Sequence, residues 1–217
     1  MLVLCACEES QEVCKAFRAR GHIAFSCDIA FCSGGHPEWH IQQDVIPLLN
    51  GFCSFKTCDN VFHSINSKWD LIIAFPPCTY LTSTGNRWFD VSRYGDSALE
   101  RFLLRDIAID FFMQFINADC DKICVENPLG VMSTVFRSPD QIIHPYYFGD
   151  PYAKRTCLWL KGLQPLTATC YCHNFKRGWV ESCFHLESSE RQRVRSKTVP
   201  GVAAAMADQF PFTYSLI

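Results

Sequence analysis

The 217-residue sequence contains no uninterrupted apolar run approaching the ~20 residues that cross a bilayer, so no helical membrane span is expected in it. Its opening, MLVLCACEES, lacks a basic leader and turns acidic at Glu8; a secretory signal is not expected, and a cytoplasmic location is. No internal repeat or low-complexity tract is present. Charge is sparse, at 19% of residues and a net of −2, so bulk electrostatics alone point to no partner. What is present is ample apolar material: 48% of residues are hydrophobic, enough for one substantial core in a chain of this length.

Fourteen cysteines would suggest disulfides in a small secreted protein, but nothing points to secretion. Cys5, Cys7, Cys27, Cys124 and Cys157 lie in apolar runs, where a free thiol acts as a small core residue. Most are therefore expected to be reduced and structural, with Cys78 set apart by its neighbours. Charge is unevenly distributed. Residues 151–200 hold nine Lys or Arg against three Glu, while the remainder holds eleven basic and nineteen acidic side chains. Such asymmetry fits a segment facing a polyanion, or else a solvated basic surface.

Buried strands are expected over 2–7, 23–29, 69–74, 122–127 and 156–160, with a short one ending near Asp44. A helix is expected from Ser10, as N-cap, to Gly21, with Val13, Ala16 and Phe17 as its apolar stripe. A long amphipathic helix over about 97–117 places Ala98, Phe102, Ile109, Phe112 and Ile116 at helical spacing. A last helix spans 200–210 with proline in its first turn. Residues 51–68 show no clear periodicity and read as an insertion. Alternating strands and helices predict an α/β fold with a mostly parallel sheet, whose ligands bind beyond the carboxyl ends of the strands. Glu8, Glu9, Asp28, Asp44, Cys78 and Glu126 all fall at such ends.

The strand at 69–74 runs into Pro76-Pro77-Cys78. Two prolines fix the backbone and hold the following thiol in one place, which suits a nucleophile; a tight loop containing one of many cysteines fits as well. Glu126-Asn127-Pro128 ends a neighbouring strand, where partial burial would raise the carboxyl pKa and let it donate a proton to a ring nitrogen. Thiol and acid together are what a pyrimidine needs: addition at carbon 6 and protonation at nitrogen 3 make carbon 5 nucleophilic. Asp28 is placed to accept ribose hydroxyls and Asp44 an adenine amino group of a nucleoside cofactor.

These residues resemble the cytosine carbon-5 methyltransferase family, especially its short phage and prophage forms. FPPC is similar to that family's nucleophile motif and ENP to its Glu-Asn-Val motif. FGDPYAKRTCLWL (148–160) resembles its arginine-containing strand, and RSKTVPGVAAAMA (195–207) its closing motif. The resemblance implies a Rossmann-like S-adenosylmethionine-dependent methyltransferase fold, S-adenosylmethionine as cofactor, and cytosine-containing DNA as partner. It implies Cys78 as nucleophile, Glu126 as acid and Arg155 as the residue positioning base and acid. It also implies Ala6, Cys7, Glu8, Glu9, Ser10, Asp28, Asp44 and Pro76 around the cofactor, with Pro77, Asn127 and Lys154 beside the base. The family's first motif is Gly-rich, whereas CACEESQ contains no glycine.

The expected organisation is a catalytic and cofactor-binding unit (1–160), a very small recognition insert (161–195) and a C-terminal helix returning to the catalytic unit (196–217). The insert carries Cys170, Cys172, His173, Cys183 and His185, a set that could staple zinc or simply populate a loop. It also carries Lys161, Lys176 and Arg177 beside Trp179 and Phe184, with Arg191, Arg193 and Arg195 on alternate positions. Lys176 and Arg177 are thus expected at the nucleic acid, whose target base would have to be flipped out to reach a buried thiol. Three readings stay open: a DNA cytosine methyltransferase, a carbon-5 methyltransferase of a free pyrimidine nucleotide, and a nucleic-acid-binding relative without turnover.

Overall fold

A computed structural model describes residues 1–176, 183 and 185–211. Its elements run β1 (Leu2–Ala6), α1 (Glu12–Arg18), β2 (Ile23–Asp28), β3 (His40–Gln42), β4 (Cys53–Lys56), β5 (Phe62–Ile65) and β6 (Leu71–Ala74). There follow α2 (Val91–Tyr94), α3 (Asp96–Ile116), β7 (Ile123–Asn127), α4 (Met132–Val135), β8 (Gln141–Ile143), β9 (Thr156–Lys161), α5 (Ser188–Ser196) and α6 (Pro200–Gln209). Seven strands form one sheet in the order β3-β2-β1-β6-β7-β9-β8. The first five in that order pair in parallel, and β9 runs against both β7 and β8. The fold is α/β with a mostly parallel sheet. Chain order reverses between β1 and β6, which opens a crevice at their carboxyl ends.

Both sheet faces are covered, which is why the central strands read as continuous apolar runs. Leu4, Ala6, Ile72, Ala74, Ile123, Val125 and Trp159 point to one face, under Phe112 and Phe115 of α3. Val3, Cys5, Leu71, Ile73, Cys124 and Leu158 point to the other, under Val13, Cys14 and Phe17 of α1 and Val202, Ala203 and Met206 of α6. The ion pair between Arg20 and Asp208 ties the α1 end to α6, with Arg20 Nη2 donating at 2.7 Å to the second carboxylate oxygen. All fourteen cysteines are free. Burial pushes the Cys27 thiol up to about 12 and Cys157 to about 11, so both stay protonated as core residues.

Several expectations change. Residues 51–68 are not a patternless insertion: β4 and β5 form an antiparallel hairpin whose half-exposed faces weaken alternation. On α3 the buried stripe is Ala98, Phe112 and Phe115; Phe102 is exposed and lies edge-on to Phe89 at 5.0 Å. The segment holding Arg191 and Arg195 is helical, so these two lie four residues apart on one face instead of alternating. No helix among the described residues is long and apolar enough to cross a membrane.

Ser10 does not cap α1. The residue before the helix is Gln11, left-handed at φ 59, and it makes no side-chain cap. The Glu8 carboxylate reaches over instead, accepting from the Val13 amide at 2.6 Å and the Cys14 amide at 3.2 Å. An anion at exposed helix amides is favourable, yet Glu8 is only 4% exposed, and desolvation pushes its carboxyl up from 4.5 to about 8 despite the two amide bonds. Between those two values the folded chain holds a proton that the unfolded chain has lost, so stability falls as pH rises through this window. Urea unfolding across pH 5 to 9 should show a decline of up to a few kcal/mol that Glu8→Gln flattens; equal slopes in both proteins would refute the assignment.

Candidate active site

Strand β6 ends at Ala74, and Phe75 remains latched to the sheet through its amide on the Ala6 carbonyl at 2.9 Å. Pro76 is buried, whereas Pro77 and Cys78 are exposed to the crevice. The Cys78 carbonyl then accepts from the Leu81 and Thr82 amides, each at 3.0 Å, which folds the chain back sharply behind the thiol. On the adjacent strand β7, Glu126 is half-buried and Asn127 is 1% exposed.

The two strand-end loops are joined twice. Asn127 Nδ2 donates to the Pro76 carbonyl at 2.8 Å in a buried setting. Further out, Thr82 and Gly130 form an antiparallel bridge, flanked by Ser83 N to the Leu129 carbonyl (3.1 Å) and Val131 N to the Leu81 carbonyl (2.8 Å). Glycine is required at this crossing, because a Cβ on Gly130 would lie 1.9 Å from the Leu81 carbonyl oxygen.

The crevice is a cleft of about 1420 Å³, larger than the ~300–1,000 Å³ typical of one small-molecule site. Cys78, Glu126, Asn127, Pro76 and Pro77 line it together with Lys154 and Arg155, which precede β9. Burial, followed by the neighbouring Glu126 charge, pushes the Cys78 thiol up; Lys154 and Arg195 oppose that shift. Burial also raises the Glu126 carboxyl, again opposed by Lys154. Although Cys78 is exposed along the cleft, the surrounding walls remove enough water to disfavour its thiolate. Lys154 is thus the cation that acts on both Cys78 and Glu126, held by its Nζ donating to the Arg195 carbonyl at 2.8 Å. Arg155 is exposed on the cleft wall and influences His144 and Cys157 instead.

The other end of the cleft is walled by Cys7, Glu8, Glu9, Ser10, Asp28 and Asp44. The glycine-free turn closes because Cys7 and Gln11 adopt left-handed backbone at φ 58 and φ 59. That costs roughly 1–2 kcal/mol per residue, partly offset by Gln11, which bonds Ser26 Oγ, the His36 carbonyl and the His36 amide. Ala6 is fully buried within β1 and does not reach the cleft. Glu8 does, but its carboxylate is engaged at α1, which makes it a helix cap. Asp28 accepts from the Ala30 amide at 2.9 Å and Asp44 from the Ile46 amide at 3.1 Å, leaving oxygen on each for a ligand. Burial raises the Asp28 carboxyl. Beside Asp28, Ile29 and Phe31 are 79% and 63% exposed, apolar surfaces that suit a planar ring.

Lys176 lies outside the cleft, in a bridge with Tyr152, its amide donating to the Pro151 carbonyl at 2.8 Å. Arg177, Trp179 and Phe184 fall outside the described residues. Cys170, Cys172, His173, Cys183 and His185 do not converge: among the described residues no three His, Cys, Asp or Glu side chains are grouped to hold a metal. The insert is fixed instead by rings, with Phe175 stacked on Tyr146 at 3.9 Å and Tyr171 edge-on to Tyr146 at 5.3 Å. Sequence reasoning missed Arg101, Trp88 and Thr82–Gly85, all on the cleft wall; a helical reading of 97–117 already set Arg101 and Arg105 one turn apart.

In comparisons with known proteins, no family model matches the chain and no curated protein matches it. The functional reading therefore stands on the site itself.

Gly130→Ala should lower stability by about 1–3 kcal/mol or more, because the obstructing atom is backbone. An unchanged urea midpoint in that variant would show that the two loops are not joined in this way.

Proposed function

We propose that the protein transfers a methyl group from S-adenosylmethionine to carbon 5 of cytosine in DNA, through a covalent bond to Cys78. The observation carrying this reading is the shared cleft floor: a thiol and an acid at the ends of adjacent strands, their loops joined by the Asn127–Pro76 bond. A carboxyl held toward its neutral form by burial, beside a rigidly held thiol, is an unusual pair for a structural role, and it offers both functions that pyrimidine activation requires.

The Cys78 thiol gives its proton to solvent and its sulfur adds as thiolate to ring carbon 6, while Glu126 gives its proton to ring nitrogen 3. Carbon 5 then carries the electron pair that would take the methyl carbon of a bound sulfonium donor, whose sulfur would keep the bonding pair and leave as a neutral thioether. Loss of the carbon 5 proton to a base expels the sulfur from carbon 6, and the nitrogen 3 proton returns to Glu126. Lys154 and Arg195 favour the thiolate by charge, opposing the burial and the Glu126 charge that hold the thiol protonated. Protonation of Glu126 removes one of those two opposing terms, so acid and nucleophile are each most effective in the same state.

The opposite end of the cleft suits the donor. Asp28 and Asp44 offer carboxylates to ribose and adenine, exposed Ile29 and Phe31 offer apolar surface, and acidic groups favour a cationic sulfonium. Bound there, S-adenosylmethionine would supply an electrophilic methyl carbon. The mostly parallel sheet agrees with the methyltransferase fold that the resemblance implies, and the cleft volume leaves room for donor and base together. Arg191 and Arg195 on α5, with Lys154 and Arg155, give the cleft a cationic wall for a nucleic-acid backbone.

Cys78→Ala should abolish methyl transfer, read as 5-methylcytosine by mass spectrometry of nucleosides from DNA incubated with labelled S-adenosylmethionine. Glu126→Gln should slow turnover by roughly 10²–10⁴-fold while calorimetric binding of S-adenosylmethionine is retained. DNA containing 5-fluorocytosine should trap an adduct on Cys78. Full activity in the Cys78 variant, or wild-type turnover with no trapped adduct, rules the mechanism out.

A further inference from the structure

The cleft has a second cationic wall that the reaction above does not use. It is built on α3, which covers the sheet face opposite α6. Arg101 and Arg105 lie one turn apart there and both approach the Phe89 ring, with guanidinium carbons 5.4 and 3.4 Å from its centre. Like charges at this spacing repel, and Arg101 lowers the Arg105 pKa, after desolvation. No carboxylate forms an ion pair with either among the described residues.

The two arginines differ in what they hold. Arg105 is occupied: Nε donates to the Tyr80 carbonyl at 2.9 Å and Nη2 to Asn86 Oδ1 at 2.8 Å, which fastens the segment after Cys78 to α3. The Arg101 guanidinium carbon lies 5.0 Å from the Tyr80 ring centre, and the buried Nε of Arg101 has no hydrogen-bond partner. Arg101 lines the same cleft as Thr82, Ser83 and Thr84, where the Thr82 and Thr84 hydroxyls bond each other at 3.1 Å. A guanidinium with an unfilled donor, repelled by its neighbour and sharing the cleft with hydroxyls, suits a tetrahedral oxyanion.

We infer that Arg101, with the Thr82–Thr84 hydroxyls, binds a phosphate attached to the substrate nucleoside. The inference rests on the cleft accepting a nucleotide, as proposed above, and adds the phosphate as a recognised group. Arg101 stands on α3, whereas Lys154 precedes β9 and Arg195 belongs to α5, so this site is built on a different element from the cations beside Cys78. Trp88, 40% exposed on the same wall, offers a face for a neighbouring base. The phosphate is either an internucleotide diester or the monoester of a free nucleotide, and the test separates them.

Arg101→Gln keeps a planar group over Tyr80 without the charge, Arg101→Lys keeps the charge without the fork, and Lys68→Ala removes a remote exposed charge as a control. Equal thermal midpoints for the Arg101 variants and wild type establish folding. Anisotropy with a labelled single-stranded cytosine-containing oligonucleotide is followed over a salt series. Arg101→Gln should weaken binding about tenfold and reduce the log–log salt slope by about 0.7; Arg101→Lys should restore much of that slope, and Lys68→Ala should change neither. Calorimetry then compares dCMP with deoxycytidine. A wild-type preference for dCMP that Arg101→Gln erases assigns the monoester, and no preference alongside the reduced oligonucleotide slope assigns the diester. Unchanged oligonucleotide affinity and slope, with unchanged dCMP binding, overturns the inference; so does a wild-type protein that binds neither ligand. Failure of the methyltransferase reading looks different: no methyl transfer and no Cys78 adduct, with the Arg101 effect on the salt slope intact.

Discussion

The hydrogen bond from the buried Asn127 amide to the Pro76 carbonyl holds together everything the site requires. Strands β6 and β7 are neighbours in the sheet, but their register ends at Ala74 and Val125, so the sheet ladder does not reach Pro76, Pro77 and Cys78. The prolines cannot help, since neither has an amide to donate. A side-chain amide on the next strand supplies the missing donor, and its burial makes the bond expensive to break, at about 1–3 kcal/mol for an orphaned carbonyl. The Thr82–Gly130 bridge repeats the connection further out. Cys78 is therefore pinned between two cross-links rather than carried on a free loop.

Electrostatics follow from that placement. Cys78 and Glu126 each lose water, each is held toward its neutral form, and the same lysine pulls both toward ionisation. The charge of Glu126 also raises the thiol, so the two groups influence each other directly. Lys154 holds this position because its ammonium is anchored on the Arg195 carbonyl, which links the residues preceding β9 to the segment leading into α6.

The buried strands were legible because burial on two faces leaves unbroken apolar runs, and Cys78 and Glu126 were legible because both follow such runs directly. The β4–β5 hairpin was not, since its residues are half-exposed and Phe62 is turned to solvent, which erases a period of two. Glu8 stood correctly at a strand end, but its role as a helix cap depends on where α1 begins, and Gln11 shifted that start by one left-handed residue. Arg155 was expected to position base and acid from the resemblance of 148–160 to an arginine-containing strand; three-dimensional proximity shows that Lys154 is the cation acting on both the thiol and the acid. Arg101 belongs to a helix whose sequence signal is its apolar stripe, and that signal carries no information about the polar face. The Cys and His residues of the insert matched a ligand composition without a ligand geometry, because composition carries no distances.

The reversed direction of β9 has an architectural consequence. A strand running with its neighbours would deliver its final residues to the crevice and begin at the opposite edge. Because β9 runs the other way, Lys154 and Arg155 stand at its entrance beside the cleft, and Lys161 leaves from the far rim. Residues added directly after Lys161 thus enter the molecule away from Cys78 and Glu126. Chain can be inserted or removed at that rim while the joined loops of β6 and β7 keep their geometry.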